Sequence, residues 1–240
     1  MAGSTLASPS TDNKAAVAKS SVQSPGRESW RRFKRHKLAV VCTIVLSFIV
    51  LAVLLGPLLW RVPINEIDFT ARMQGPSWAH PLGTDDLGQD ILARVLYGGR
   101  ISLAVGLAAM LIAISVGVVV GAVAGMSKGP VDVFLMWITD LFLSLPQLPL
   151  LLLIFYLFND TLKKLVGPEA GVFILVVAVI GGLRWMPVAR LVRAQFLTLR
   201  EKEFVEAARA LGASPWRQVT VHILPNAMGP VIVAATIDVA

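Results

Sequence analysis

Leu38-Ala-Val-Val-Cys-Thr-Ile-Val-Leu-Ser-Phe-Ile-Val-Leu-Ala-Val-Leu-Leu-Gly-Pro-Leu-Leu59 runs for 22 positions without a charged residue. That length matches the roughly 20 apolar residues a helix needs to cross the hydrocarbon of a bilayer. Directly before it stand Arg31, Arg32, Lys34, Arg35 and Lys37. Basic residues ahead of an apolar run also mark secretory signals, but those carry an apolar region of about 7–15 residues closed by small side chains. Here the run is longer and leaves through Trp60-Arg61-Val62-Pro63, with Trp60 where an interfacial aromatic belongs. It reads as a retained anchor. Backbone groups in lipid must be paired within the spanning element, so long unbroken apolar blocks predict helices.

The whole chain follows this pattern. Of its 240 residues 55% are hydrophobic and 15% charged, with a mean hydropathy of +0.71, whereas soluble domains are about 45–50% apolar and about 25% charged. An all-α, polytopic transmembrane helical bundle is expected. A net charge of +7 would suggest nucleic acid in a soluble protein. The basic residues instead flank the apolar blocks, which points to membrane lipid and excludes a nucleic-acid partner. Cys42, the single cysteine, lies inside the first block, can form no internal disulfide and is read as packing.

Residues 1–29 are rich in Ser, Ala and Pro and are expected to form a disordered cytoplasmic tail ahead of a transmembrane domain over 30–240. A second block, Ile101 to Met126, carries Gly117, Gly121 and Gly125 four residues apart, a face suited to close helix packing. A third, Val131 to Phe158, exceeds one straight span and contains Pro146 and Pro149, predicting a bent span or two helical pieces. A fourth, Val172 to Leu183, must continue through Arg184, Trp185 and Met186 to cross. A fifth begins near Val231 and is still apolar at Ala240, so the chain is expected to be incomplete at its C-terminus. With the amino terminus inside, alternate loops hold sixteen basic residues inside and six outside. That asymmetry makes the tail and Arg190 to Pro225 cytoplasmic and Arg61 to Arg100 external.

Within the cytoplasmic segment, Glu203-Phe-Val-Glu-Ala-Ala-Arg-Ala-Leu211 consists of good helix formers, with Phe204, Ala207, Ala208 and Leu211 at i, i+3, i+4, i+7. Lys202 and Glu206, and Glu206 and Arg209, are spaced for side-chain pairs. Gly212 offers the left-handed conformation that ends a helix, and Ser214-Pro215 supplies an N-cap followed by proline at the first helical position. A second short helix then places Trp216, Val219 and Ile223 on one side and is expected to stop at Pro225. Two short amphipathic helices about a glycine turn suit docking to another protein. The alternative is an interfacial helix on lipid.

Glu206-Ala207-Ala208, three residues, Gly212, then Leu224-Pro225 resembles the signature loop of permease subunits in ATP-binding-cassette importers. His222-Ile-Leu-Pro-Asn226 is similar to the dipeptide, oligopeptide and nickel branch, where the general family has an aliphatic residue in place of His222. His80-Pro-Leu-Gly-Thr-Asp-Asp-Leu-Gly-Gln-Asp90, Gly98-Gly-Arg-Ile-Ser-Leu103 and Trp185-Met-Pro-Val-Ala-Arg-Leu-Val-Arg193 also resemble that branch. The resemblance implies a type I importer permease with about five spans present of six. It also implies a multi-pass protein of the bacterial plasma (inner) membrane that carries peptides or a related small solute. Its partners would be a homologous second permease subunit, two cytoplasmic ATPase subunits and an extracytoplasmic solute-binding protein. The loop over 200–225 would couple to the ATPases through Glu206, Ala207, Ala208, Gly212, Leu224 and Pro225, with Phe204 and Leu211 on the docking face.

No Gly-x-x-x-x-Gly-Lys-Ser/Thr phosphate loop exists, so the chain is read as no enzyme, with ATP hydrolysis on partners and no cofactor. Thr84, Asp85 and Asp86 are expected to open an external helix with Leu87, Ile91 and Val95 on one face. Asp85, Asp86 and Asp90 lack the alternating spacing of a calcium loop. His36, His80 and His222 lack zinc-ligand spacing, so no metal is expected. Asp140 and Asp238 fall within apolar blocks, where carboxylates usually face a bundle interior or water path. Asp140 is therefore a candidate for the translocation path, or else a residue near the cytoplasmic interface. An intramembrane aspartyl protease using that pair would need a Gly-x-Gly-Asp-type flank, which is absent. An ATPase-independent channel or scaffold is the remaining alternative.

Overall fold

The computed structural model describes residues 25–239; of the tail expected over 1–29, residues 1–24 lie outside the described residues. The chain divides into two units, 1–96 and 97–240.

In the first unit, helix α1 covers Pro25–Arg35 and takes in five residues that composition assigned to the tail. Trp30 and Phe33 stack with ring centroids 5.6 Å apart, and Lys34 Nζ lies 5.2 Å from the Trp30 ring, so the segment carries its own aromatic contacts. His36 alone interrupts the helix. Its Nδ1 accepts the Ala39 N–H at 3.2 Å, capping α2, Lys37–Leu59. Cys42 is exposed on α2, so the packing expected of it is not made among the described residues.

The helix expected from Thr84 does not form. Thr84 and Asp90 make an isolated antiparallel bridge, and Gly83 and Gly88 both have φ +78°, which breaks the helical path between them. Gly88 is required by contact as well as by φ, because a Cβ there would stand 1.8 Å from the Asp68 carbonyl oxygen. Leu87 is exposed. The helix starts instead at Ile91 and runs to Met126 as α3, ten residues before the apolar block begins.

In the second unit, α3 buries Ala109, Ala113, Gly117, Gly121 and Gly125, a seam of small residues at spacing four. It lies against α6, Pro168–Leu199. A Cβ at Gly117 would stand 2.6 Å from Val188 Cβ, at Gly121 2.7 Å from Val192 Cβ and at Gly125 2.5 Å from Phe196 Cβ. The contacts advance in the same order along both helices, so α3 and α6 run parallel. The chain between them must therefore return across the bundle once. It does so as α4, Pro130–Ser144, and α5, Gln147–Val166, which meet at 85° around Leu145 and Pro146. This is one broken span and not a re-entrant loop, which would leave α3 and α6 antiparallel. Pro149 sits in the first turn of α5, where its missing N–H costs nothing.

Helix α6 passes through Pro187 and extends well beyond the apolar block that defined the fourth span. Its extension is held by burial of Val188, Ala189, Val192 and Phe196, each at most 1% exposed. Arg190 and Arg193, which looked like loop residues, are helical. After α7, Glu203–Ala210, the short α8, Pro215–Arg217, leads without a break through a π-helical turn, Gln218–Ile223, into α9, Leu224–Val239. Pro225 therefore does not stop the helix, and the fifth helix starts before Val231. The π turn widens the ladder just ahead of the proline: the Leu224 N–H reaches back to the Val219 carbonyl, and Asn226 Nδ2 donates to His222 O at 2.6 Å. The wider turn also disperses the expected stripe, leaving Trp216 exposed, Val219 partly buried and Ile223 fully buried.

Among the described residues three helices, α2, α3 and α6, are long and apolar enough to cross a membrane, and the α4–α5 pair makes a fourth span. All described elements are helical apart from the one bridge.

Candidate functional site

The loop is built from the end of α6 downward. Arg200 caps α6, and its Nη1 donates to the Gly125 carbonyl at 2.8 Å, fixing the exit of α6 to the end of α3. Lys202, in extended conformation, precedes α7. Glu203 and Glu206 in the first turn and Arg209 in the last suit the helix dipole. The end of α7 is a Schellman closure: the Gly212 N–H donates to Arg209 O at 3.0 Å and the Ala213 N–H to Ala208 O at 3.0 Å. It requires a left-handed residue, and Gly212 has φ +82°. Ser214 then accepts the Arg217 N–H at 3.3 Å, with Pro215 at the first helical position, as the sequence indicated. Gln218, 5% exposed, donates from Nε2 to the Ala213 carbonyl at 2.8 Å and ties the two arms together.

The loop has two faces. Val205 and Ile223 are fully buried in a cluster with Val188, Val192 and Phe196 of α6 and Ala227 and Val231 of α9. On the opposite side Phe204 is 42% and Leu211 89% exposed, with Ala207 and Glu206 also exposed. Ala208 is buried and belongs to the inner face with Val205, three residues before it, so of the four-residue stripe read from the sequence only Phe204, Ala207 and Leu211 are exposed. Neither expected local pair of Glu206 forms: among the described residues no ion pair joins it to Lys202 or Arg209. Leu224 is partly buried at the start of α9, and Pro225 is exposed beside it. A concavity of about 530 Å³ between the arms is lined by Ala208, Leu211, Gly212, Ser214, Arg217 and His222.

Two arginines of α6 hold α4. Arg193 binds Asp132 through Nε and Nη2 at 2.6 and 2.7 Å, a bidentate pair, and Arg190 binds Asp140. This accounts for a carboxylate inside the third apolar block. Both Arg190 and Asp140 are exposed on the surface of this chain. The backbone of Asp238 lies in α9, and its side chain is outside the described residues.

A second polar constellation occupies the first unit. Asp90, 2% exposed, accepts the Ala93 N–H at 2.7 Å and Trp60 Nε1 at 3.2 Å, and His80 Nδ1 lies 2.8 Å from its other oxygen. Burial pushes this carboxyl up, but the Ala93, His80 and Trp60 hydrogen bonds together hold it below the ordinary aspartate value. Asp85 accepts the Leu87 and Gln89 N–H groups, each at 2.9 Å, and pairs with Arg94. The acids read as helix-opening residues are thus the organisers of a loop. Among the described residues no cluster of three His, Cys, Asp or Glu side chains could hold a metal.

Comparison with known proteins places residues 117–240 in the family described as binding-protein-dependent transport system inner membrane component. Residues 24–76 match the N-terminal transmembrane domain of oligopeptide transport permease C. The chain is 34% identical over 215 residues to the dipeptide transport system permease protein DppC of Alkalihalophilus pseudofirmus, covering 89% of this chain and 67% of that protein. It is 36% identical over 213 residues to the DppC of Bacillus subtilis, covering 89% of this chain and 63% of the relative. It is 39% identical over 218 residues to the oligopeptide transport system permease protein OppC of Escherichia coli K12, covering 88% and 68%. The chain thus spans about two thirds of the length of these relatives.

Proposed function

Because the chain belongs to the binding-protein-dependent transport system inner membrane components, in the dipeptide and oligopeptide branch of importer permeases, we propose that the loop over 200–225 couples separate ATPase subunits to a solute path through the membrane. The supporting observation is the division of the loop into a buried inner face and an exposed outer one. Val205 and Ile223 fasten it to α6 and α9, so a displacement of the loop is carried into two helices of the bundle and not absorbed locally. Phe204, Ala207 and Leu211 offer a small apolar surface to a cleft on an ATPase, with Glu206 available for a charge contact there. Gly212 and Gln218 keep the two arms at a fixed angle.

Coupling of this kind needs two states of the bundle and a partner that contacts them unequally. In this proposal two cytoplasmic ATPases supply the bias, a homologous permease supplies the other half of the path, and an extracytoplasmic solute-binding protein delivers peptides or a related small solute. Asp140, paired with Arg190, stands beside that path. The positive-inside asymmetry supports a cytoplasmic amino terminus, with Arg61 to Arg100 external. The parallel course of α3 and α6 supports the same arrangement, since it puts Lys128 and the coupling loop on one side. In whole cells, single cysteines at positions 74 and 209 test it. An external reagent labels position 74 and spares 209, and the reverse pattern overturns the topology. Peptide uptake that requires co-expressed ATPases separates this function from a channel or scaffold, for which uptake would continue without them.

A further inference from the structure

Helix α1 takes no part in the coupling loop, yet its composition is specialised. From Arg27 to Lys37 the chain carries Arg27, Arg31, Arg32, Lys34, Arg35 and Lys37 against one acid, Glu28. At 100° per residue the helix places Trp30 and Phe33 on one side and Arg31 and Arg35 on the other. Trp30 is 58% exposed although it stacks on Phe33. Lys34 sits at the border between the two sides, exposed, with its ammonium 5.2 Å from the centre of the Trp30 ring. Only His36 separates this helix from α2, which is long and apolar enough to cross a membrane, so α1 ends directly beside the start of that span.

We propose that α1 is a binding surface for anionic phospholipid headgroups. It lies along the membrane interface with Trp30 and Phe33 among the upper acyl chains and Arg31, Lys34 and Arg35 on the phosphates. Two observations select lipid over an acidic protein partner. Among the described residues the Trp30 ring has no partner beyond Phe33 and Lys34, and it stands next to a span, where lipid is the adjacent apolar phase. The charges follow an apolar–basic division along the helix, as amphipathic interfacial helices do.

The test uses the full chain in vesicles, with Cys42→Ser and Gly26→Cys carrying an environment-sensitive fluorophore. Position 26 is exposed and a Cβ there meets nothing within 4 Å, so the label is tolerated. Vesicles are phosphatidylcholine with or without phosphatidylglycerol, each doped with lipid brominated near the headgroup. Quenching should increase with phosphatidylglycerol and reverse as salt rises, because the Debye length falls from about 10 Å at 0.1 M to about 3 Å at 1 M. Arg31→Gln, Lys34→Gln and Arg35→Gln together should weaken the phosphatidylglycerol-dependent part on the order of a hundredfold, at roughly fivefold per charge. If the triple variant fails to insert, the lipid and salt dependence with all charges intact decides the matter. Equal quenching in neutral vesicles at every salt concentration overturns the proposal. So does shielding of the probe only on addition of the ATPases, which would assign α1 to a protein partner.

Discussion

Val205 and Ile223, one on each arm of the loop, are both fully buried in the cluster that contains Phe196 of α6. This predicts two separable kinds of loop variant. Val205→Ala removes buried methyl groups and leaves a small cavity, a loss of roughly 2 kcal/mol. The loop should loosen and become protease-sensitive, and transport per ATP hydrolysed should fall with the ATPase still bound. Leu211→Ala should leave stability unchanged, since the side chain is nearly all in solvent, and weaken ATPase association. Equal behaviour of the two variants would contradict the two-faced loop.

Gly212 has φ +82° and open space around its missing Cβ, so its demand is conformational and not steric. Gly212→Asn, which tolerates the left-handed region, should retain most ATPase coupling. Gly212→Val should lose it at a local cost of about 1–2 kcal/mol, while the chain still inserts. Normal peptide uptake by the valine variant, with ATPase bound at normal affinity, would remove this turn from the mechanism.

At Gly121 the obstacle is contact. A Cβ would lie 2.5 Å from the Ala189 carbonyl oxygen, a backbone atom that cannot swing aside. Gly121→Ala should lower the melting temperature in detergent, and Gly121→Leu should prevent α3 and α6 from seating, at roughly 1–3 kcal/mol or more. An unchanged elution profile and melting curve for Gly121→Leu would show that the seam is not a packing face.

The glycine seam and the Gly212-Ala-Ser-Pro215 turn were legible because each rests on local rules: residue size at spacing four, and the backbone preferences of Gly, Ser and Pro. The faces of the loop were harder to read. Two apolar stripes overlap on α7, Phe204–Ala207–Leu211 and Val205–Ala208, and only tertiary packing decides which turns inward. Pro225 misled for a related reason. A proline usually ends a helix, but a π turn just before it rearranges the ladder, and that turn has no residue signature. Thr84-Asp-Asp looked like a helix start because acids favour first turns. Gly83 and Gly88 in the left-handed region, together with the attachment of Asp90 to Trp60 and His80, outweighed that preference. The pairs Arg193–Asp132 and Arg190–Asp140 join residues more than 45 positions apart and leave no local pattern in the sequence.

The Arg193–Asp132 pair fastens the first turn of α4 to α6, both partners partly buried. Asp132→Asn should weaken this attachment by about 1.5–3 kcal/mol, the usual range for a hydrogen bond to a charged group. Arg193→Gln should cost about the same, and the double variant little more than either alone. Additive losses in a double-mutant cycle on thermal unfolding would show that the two side chains act independently.

The last prediction concerns acid. Asp90 is held below the ordinary aspartate value of 3.8 because, although burial opposes its charge, the Ala93, His80 and Trp60 donors favour the carboxylate more strongly. The folded segment therefore binds fewer protons than the unfolded one near and below that value. The stabilisation is complete above the unfolded pKa and is lost as pH falls through the lower, folded pKa. Asp68 and Asp85 are shifted in the same direction, so the segment from Trp60 to Asp90 should loosen in acid as one unit. Hydrogen exchange at the Ala93 amide, whose N–H is bound by Asp90, should accelerate below about pH 4, after correction for intrinsic rates. Asp90→Asn should raise exchange at neutral pH and flatten the part of the acid response that Asp90 supplies. An unchanged acid profile in that variant would show that the Trp60–His80–Asp90 constellation does not hold this segment together.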